Sequence, residues 1–161
     1  MEIEMTVKGL MIDPITNMPI IILRDEAGER ILPIWVGVFE ANAIALQIEN
    51  VQTPRPMTHD LLKNVLEDLD AQVDRIVVCD LKENTFYATI HLRMGTHVRV
   101  VDARPSDAIA LALRTRSPIF VEDAVIQSAR SVESTPDNMD VGRLQKWLEG
   151  LSDEDLGKYK M

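Results

Sequence analysis

The chain has 161 residues, 46% of them hydrophobic, and a formal net charge of −9. This length fits one domain, and the hydrophobic content supports a packed core, which excludes a wholly disordered chain. The net negative charge argues against a general nucleic-acid-binding protein, because such proteins need a basic surface. It is compatible with an enzyme that contacts phosphates at one local basic patch.

The cysteine content and the N-terminal sequence indicate the compartment. Cys79 is the only cysteine, so an internal disulfide cannot form, and its position in an apolar run indicates a buried side chain. The first residues do not have the pattern of a signal peptide, and no apolar run approaches the roughly 20 residues that span a membrane. We expect a cytoplasmic protein that does not contact membranes.

The first third of the chain predicts a three-stranded meander followed by a helix. Alternating apolar and polar residues predict a strand over residues 3–7, and two more strands follow turn signals, over 18–23 and 31–36. Pro33 favours an edge position or a bulge in the third strand. Apolar residues at the spacing of one helix face then predict a helix over 37–49.

The second third predicts one helix and then a return to strands. Two prolines exclude a helix at residues 53–57, and Thr58 is the expected N-cap of the helix that follows. The period then returns to two, which predicts strands over residues 73–81, 86–92 and 98–100.

The last third predicts two further helices around a short strand. Pro105 or Ser106 begins the first of them, a strand follows over 119–121, and a helix over 122–129 ends the domain. The sequence therefore predicts an α+β fold, with a mostly antiparallel sheet of about six to seven strands and helices packed against it.

We divide the chain into three segments. Residues 1–130 form the domain, residues 131–140 are polar and read as a linker, and residues 141–161 are predicted to form a short C-terminal helical tail. Val141, Leu144 and Leu148 give this tail an apolar side, with Trp147 next to it. We expect the tail to pack on the domain or on a second copy.

The polar turn before the third helix is the strongest candidate site. A helix N-terminus favours phosphate, and Arg104 and Ser106 would contact it there. Asp102 and Asp107 offer the hard oxygen ligands that Mg²⁺ or Mn²⁺ prefers. The same spacing also describes an ordinary helix start, in which Ser106 caps the helix and Arg104 pairs with Asp102. Spacing alone favours that structural interpretation.

A second proline-bounded loop also enters a helix with an arginine before the proline. Arg55 occupies that position, and His59 and Asp60 follow in the first turn. His59 is a candidate general base or metal ligand, because histidine can both accept a proton and bind a metal near neutral pH. The alternative is an exposed first-turn histidine without a role. If a site exists, we expect it where the two arginine–proline helix starts converge.

A basic cluster is predicted from the register of one hairpin. A three-residue loop at residues 94–96 would pair Arg93 with His97, and His91 with Arg99. These four side chains would then share one face of the sheet, where Arg93 and Arg99 would bind phosphate or an acidic surface of another subunit. A solvated face is the alternative.

Three stretches resemble the signatures of one known family. They are Leu-Pro-Ile-Trp-Val-Gly at residues 32–37 with Glu40, Arg-Pro-Met-Thr-His-Asp-Leu-Leu at 55–62, and Asp-Ala-Arg-Pro-Ser-Asp-Ala-Ile-Ala-Leu-Ala at 102–112. Through them the chain is similar to the bifunctional nuclease domain family, bacterial members included, over about residues 1–130. The resemblance implies an α+β domain that self-associates as a homo-oligomer, and a nuclease that acts on DNA and RNA.

On this resemblance, the first hypothesis is a nuclease assisted by a divalent metal. Asp102 and Asp107, with Glu40 or Asp60, would hold Mg²⁺ or Mn²⁺, which would polarise the scissile phosphate and activate water. Glu40 belongs to this group only if the helix over 37–49 starts near the two arginine–proline loops.

The remaining catalytic roles fall to cationic side chains. Arg55 and Arg104 would neutralise charge on the phosphoryl oxygens, and His59 would transfer the proton. Two alternatives stay open. One is a non-enzymatic oligomeric binding or regulatory module, in which arginines and aspartates form structural ion pairs. The other is a pocket for a small phosphorylated ligand.

Overall fold

The computed structural model describes residues 1–132. In chain order the elements are β1 (Glu2–Ile12), β2 (Pro19–Asp25), β3 (Ile31–Trp35), α1 (Val38–Ile48), α2 (Thr58–Asp68), β4 (Gln72–Lys82), β5 (Thr85–Met94), β6 (His97–Ala103), α3 (Pro105–Thr115), β7 (Ile119–Glu122) and α4 (Asp123–Val132). The tail predicted over residues 141–161, and most of the predicted linker, lie outside the described residues. No helix within residues 1–132 is long and apolar enough to cross a membrane.

The strands form one sheet in the order β3-β2-β1-β7-β4-β5-β6. Every neighbouring pair is antiparallel except β4 and β7, which are parallel. The late strand β7 therefore joins an N-terminal meander to the β4–β5–β6 meander. This confirms the predicted α+β class and its mostly antiparallel sheet. Pro33 lies on the edge strand β3, as predicted.

One face of the sheet carries the helices and the main core. Helix α3 packs against β4 and β5, and it also contacts both α1 and α2. Ala108, Ala110 and Ala112 are almost fully buried, and their small side chains let neighbouring elements approach closely, while Ile109 and Leu111 fill the core. This packing fixes where α3 begins.

Helix α3 begins at Pro105, one of its two predicted starts, but the caps of α2 and α3 lie one or two residues before the predicted ones. The N-cap of α2 is Met57, not Thr58, and the N-cap of α3 is Arg104, not Ser106. Pro105 is the first helical residue of α3, a position where its missing N–H costs nothing. Ser106 is therefore inside the first turn, where it is buried.

The predicted register of the β5–β6 hairpin is wrong. The turn has two residues, so Met94 pairs with His97 and Arg93 pairs with Val98. Gly95 makes this shorter turn accessible, because its positive φ of 59° suits the first central position of a tight hairpin turn. A one-residue slip turns every side chain of β6 to the other face.

The predicted basic cluster is consequently split between two faces. His91 and Arg93 lie on the face opposite the helices, together with Val98 and Val100. Arg99, which pairs with Leu92, lies on the helix-bearing face, as does His97.

Candidate functional site

Three helices begin close together on the helix-bearing face. His59 in the first turn of α2 lies 2.9 Å from Asp107 in the first turn of α3, measured from Nε2 to Oδ1. Glu40 in the first turn of α1 reaches the same place through Arg104. The two arginine–proline helix starts therefore converge. Helix α1 also starts near them, which was the condition for including Glu40 in the site. We call Glu40, His59, Arg104 and Asp107 the helix-start cluster.

Arg104 connects the carboxylates of this cluster. Its Nε donates to Asp107 Oδ2 over 2.9 Å, and its second terminal nitrogen lies 2.8 Å from both Asp107 Oδ2 and Glu40 Oε1. Hydrogen bonds to Asp107 and Glu40 raise the pKa of Arg104 above its ordinary value. Its side chain is still 65% exposed, so the guanidinium has a side that faces solvent.

Gly37 makes room for the glutamate of the cluster. A Cβ atom at residue 37 would collide with Glu40 Oε2, so any other residue here would displace the carboxylate that Arg104 holds. A glycine immediately before α1 therefore has a positional role at this site.

A second ion pair joins the same three helices from inside. Arg114 in the last turn of α3 is buried, and its Nε donates to Asp60 Oδ1 over 2.6 Å. It also donates to the carbonyl oxygens of Ala43 in α1 and Ala110 in α3, each over 2.9 Å. Sequence reasoning missed Arg114. A charged residue in the buried alanine-rich stripe of α3 was the available signal, because such a charge must find a partner.

Asp60 belongs to this second pair. One carboxylate oxygen accepts from Arg114, and the other accepts from the Met57 N–H over 2.9 Å. Burial raises the pKa of Asp60, but these hydrogen bonds outweigh burial and hold the pKa below its ordinary value. Asp60 therefore anchors the start of α2 to Arg114.

The structure does not bring the other predicted residues into the helix-start cluster. Asp102 pairs with Thr89, on the strand face opposite Ile90 and Val101, and it borders the space beside Arg104 without forming an ion pair with it. Its charge lies close enough to Cys79 to be among the causes, after burial, that raise the pKa of that thiol. The alternative pairing of Arg104 with Asp102 is likewise wrong, since Arg104 pairs with Glu40 and Asp107.

The remaining predicted phosphate ligands lie elsewhere. Arg55 is exposed and lines a separate small depression beside Asp60 and Arg114. Arg93 forms an ion pair of 2.7 Å with Asp74. Arg99 is an exposed residue of the edge strand β6.

An apolar groove of about 990 Å³ adjoins the helix-start cluster. Leu62, Val65 and Leu66 of α2 form one wall, and Leu92 and Val101 of β5 and β6 lie opposite them. The groove is open because α2 buries none of its side chains fully. All four cluster residues line the groove, so a ligand in it would lie against them.

The carboxylates of residues 1–132 do not gather as metal ligands. In that part of the chain, no group of three or more His, Cys, Asp or Glu side chains is placed to hold a metal ion. Glu40 and Asp107 face Arg104, and Asp60 faces Arg114. The four predicted metal ligands therefore do not form one site in this arrangement.

The fold and the site define an α+β domain with one cluster of acidic and basic side chains where three helices begin. The chain belongs to the bifunctional nuclease domain family, whose model matches residues 21–134.

Relatives of two kinds support this assignment. An uncharacterized protein of Mycobacterium tuberculosis strain H37Rv is 37% identical over 164 residues, covering 95% of this chain and 97% of the relative. Bifunctional nuclease 2 of Oryza sativa subsp. japonica is 31% identical, covering 78% of this chain, and bifunctional nuclease 1 of Arabidopsis thaliana is 30% identical, covering 72%. The matches span only 41% and 38% of these two plant proteins.

Proposed function

We propose that this chain hydrolyses phosphodiester bonds of DNA and RNA at the helix-start cluster. The observation that carries the proposal is the 2.9 Å contact between His59 Nε2 and Asp107 Oδ1 at the edge of an open groove. Membership of the family, and the name shared by its plant members, support the reaction class. Because the plant relatives are much longer, their activity comes to this chain only as a proposal.

The geometry assigns a role to each nitrogen of His59. An ionised carboxylate only accepts hydrogen bonds, so Asp107 fixes the proton of a neutral His59 on Nε2. Nδ1 then keeps a lone pair and acts as the general base. Asp107 in turn is held in place by two contacts from Arg104. The cluster is thus an orienting carboxylate, a base and a cation in series.

Arg104 is the cation positioned to meet the phosphate. Its exposed side adjoins the groove, and a planar guanidinium matches phosphoryl oxygens in two-point geometry. As negative charge grows on these oxygens, the arginine stabilises the transition state.

A single site for both nucleic acids requires water as the nucleophile, because DNA has no 2′-hydroxyl. The water oxygen forms a bond to phosphorus, its proton moves to His59 Nδ1, and the bond between phosphorus and the leaving oxygen breaks. The leaving oxygen takes a proton from solvent and departs as a hydroxyl group. RNA hydrolysed in this way yields a phosphomonoester, with no 2′,3′-cyclic phosphate. End-group analysis of RNA fragments therefore tests the step, and cyclic ends would contradict it.

The requirement for Mg²⁺ or Mn²⁺ stays a prediction, and none of these steps depends on it. Highly purified protein is assayed on single-stranded DNA and on RNA with Mg²⁺, Mn²⁺ or EDTA. We expect His59→Ala and Asp107→Asn to lower the rate by roughly 100-fold or more, because the first removes the base and the second removes the carboxylate that orients it. Asp80→Asn is the matched control, since Asp80 pairs with Lys82 outside the groove, and it should keep the rate.

Two results would overturn the assignment. If all three variants keep full activity, the cluster is not the site. If the purified protein shows no activity under any of these conditions, the chain is not a nuclease of this kind.

The ion pairs favour a second candidate, a non-enzymatic binding or regulatory module. Every carboxylate of the helix-start cluster contacts an arginine, and the Asp60–Arg114 pair is tied to three helices. Such pairs suit a structural role as well as a catalytic one. If the wild-type protein binds a small phosphorylated ligand but shows no nuclease activity, this candidate is favoured. The groove beside Arg104 would then be the binding site.

A further inference from the structure

A small second core lies on the sheet face opposite the helices. It contains Met11, Ile20, Ile22 and Ile31, which are between 0% and 6% exposed, with Trp35 packed beside them. The pairing of β1, β2 and β3 places these side chains on one surface of the N-terminal meander. We call this surface the outer apolar face.

Local neighbours do not explain the burial of the outer apolar face. Ile22 is 1% exposed, yet its cross-strand partners are Gly9 and Pro33, whose side chains are absent or small. A side chain between such partners on a bare sheet face would be open to water.

None of the described helices supplies the missing cover. Within residues 1–132, the buried apolar side chains of the helices pack in the main core, on the other face of the sheet. The outer apolar face contains side chains of strands only. Sheet faces of this kind are stable only when a second layer covers them. Since no described helix forms that layer, we infer that it comes from outside residues 1–132.

We propose that the C-terminal segment, residues 133–161, covers the outer apolar face of its own chain. Its amphipathic stretch would place the apolar side formed by Val141, Leu144, Leu148 and Leu151 on Ile20 and Ile22, with Trp147 at the border. This inference is independent of the proposed nuclease activity, because the outer apolar face and the helix-start cluster lie on opposite faces of the sheet.

The connection is long enough. Helix α4 ends at Val132 and packs against β7 and β4, and only β1 separates β7 from β2. Strands lie about 4.8 Å apart and packed layers about 10 Å apart, so the path around the sheet is roughly 20 Å. The eight residues from 133 to 140 span up to about 27 Å when extended.

Charge on the two surfaces is complementary. Arg24 lies on the outer apolar face beside Ile31, and Arg30, which pairs with Asp25, lies close by at the end of the same hairpin. The C-terminal segment contains Asp153, Glu154 and Asp155 in succession after its apolar stretch. A carboxylate-rich end placed over arginines is favourable where water is partly excluded.

Tail variants in the full-length chain test the proposal without altering the domain core. The double variant Leu144→Asp with Leu148→Asp puts carboxylates on the apolar side of the segment. Lys146→Asp, on its polar side, is the matched control. The readout is the isoleucine methyl NMR spectrum, together with acrylamide quenching of Trp35 and Trp147 fluorescence.

We expect the double variant to shift the methyl signals of Ile20, Ile22 and Ile31 and to increase quenching, while Ile109 in the main core stays unchanged. Lys146→Asp should leave both readouts as in the wild type. Shifts at Ile90 instead would place the segment in the groove beside α2 and overturn the proposal, as would no shift at all.

Dilution separates this proposal from cover by a second copy. An intramolecular contact does not depend on concentration, so wild-type quenching should be the same at tenfold lower protein. Quenching that rises on dilution would show that another chain covers the face, and would overturn the proposal.

Discussion

Arg114 is the residue on which the arrangement of three helices depends. Replacing it with methionine keeps much of the volume but removes the bonds that Arg114 donates to Asp60 Oδ1 and to the Ala43 carbonyl. Removing one partner of a fully buried ion pair costs about 3 kcal/mol or more. Here Asp60 is 33% exposed and keeps its hydrogen bond from Met57, so the cost is lower, about 2 kcal/mol. We expect Arg114→Met to lower the free energy of unfolding by about that amount, measured by urea denaturation.

Arg116, two residues later and exposed, offers the control for that measurement. Arg116→Met should change the free energy of unfolding by less than about 0.5 kcal/mol, as surface substitutions usually do. A comparable loss in both variants would mean that Arg114 has no special structural role.

Asp13 makes the stability of the folded protein depend on pH in the acid range. Burial raises the pKa of Asp13, but hydrogen bonds from Trp35 Nε1–H, the Ile15 N–H and the Thr16 hydroxyl outweigh it and hold the pKa below its ordinary value of 3.8. A depressed pKa in the folded state adds stability above the pKa of the unfolded chain. This stability is lost as the pH falls through the folded pKa.

The test is urea unfolding of the wild type and of Asp13→Asn at a series of pH values from neutral to about 2. The variant should be less stable near neutral pH, and the difference between the two proteins should shrink below about pH 4. A difference that stays constant across this range would contradict the role of the Asp13 carboxylate.

At the residue scale, sequence patterns found polar side chains at helix starts but not their partners. Arginine before proline at two helix starts was visible, and the structure joins these starts through His59 and Asp107. Whether Asp102 accompanies them depends on the pleat of β6, which motif spacing does not reveal. The partner of Arg114 depends on packing between helices that are far apart in sequence.

At the element scale, the order and type of strands and helices were well predicted because prolines and hydrophobic periods mark them locally, although β1 and β6 are longer than predicted. The register between β5 and β6 was predicted wrongly. Val98 and Val100 form one alternating apolar set and Val101 and Ala103 form another, so the pattern does not show which set faces the core. Only the turn and the packed neighbours decide which set faces the core. In the structure Ala103 faces the core, where it pairs with Ala88, and Val98 and Val100 are exposed.

Gly95 allows a direct test of that turn. Its φ is 59°, and a Cβ atom there would meet no heavy atom within 4 Å, so a side chain costs only backbone strain. We expect Gly95→Ala to lower the free energy of unfolding by about 1 kcal/mol, and Gly95→Asn to cost less, because asparagine tolerates positive φ. Equal stability of all three proteins in urea would refute the two-residue turn.

At the scale of the whole molecule, the helix-start cluster depends on how the sheet is assembled. Strand β7 pairs with both β1 and β4, so it fixes the meander that precedes α1 relative to the strands under α3. Glu40, from the first part, then meets Arg104, from the second. Such a meeting requires the complete topology, and local sequence signals therefore could not predict it.

An exposed apolar stripe on α2 predicts that the protein self-associates. Leu61, Val65 and Leu69 form an apolar stripe on α2 and are between 44% and 61% exposed. A monomer rarely leaves such a stripe open to water. We expect wild-type protein to sediment at a multiple of its 18.2 kDa chain mass, and Leu61→Lys with Leu69→Lys to reduce that mass.

Lys63→Ala is the control, since Lys63 points to the other side of α2 and pairs with Glu67. It should sediment like the wild type. A wild type that stays monomeric at high concentration would refute self-association, and an unchanged multimer in the double lysine variant would place the interface elsewhere.

Since Leu61 and Val65 also line the groove, assembly through α2 would put a neighbouring chain beside the helix-start cluster. Nuclease activity that falls together with the sedimenting mass would then identify the oligomer as the active form.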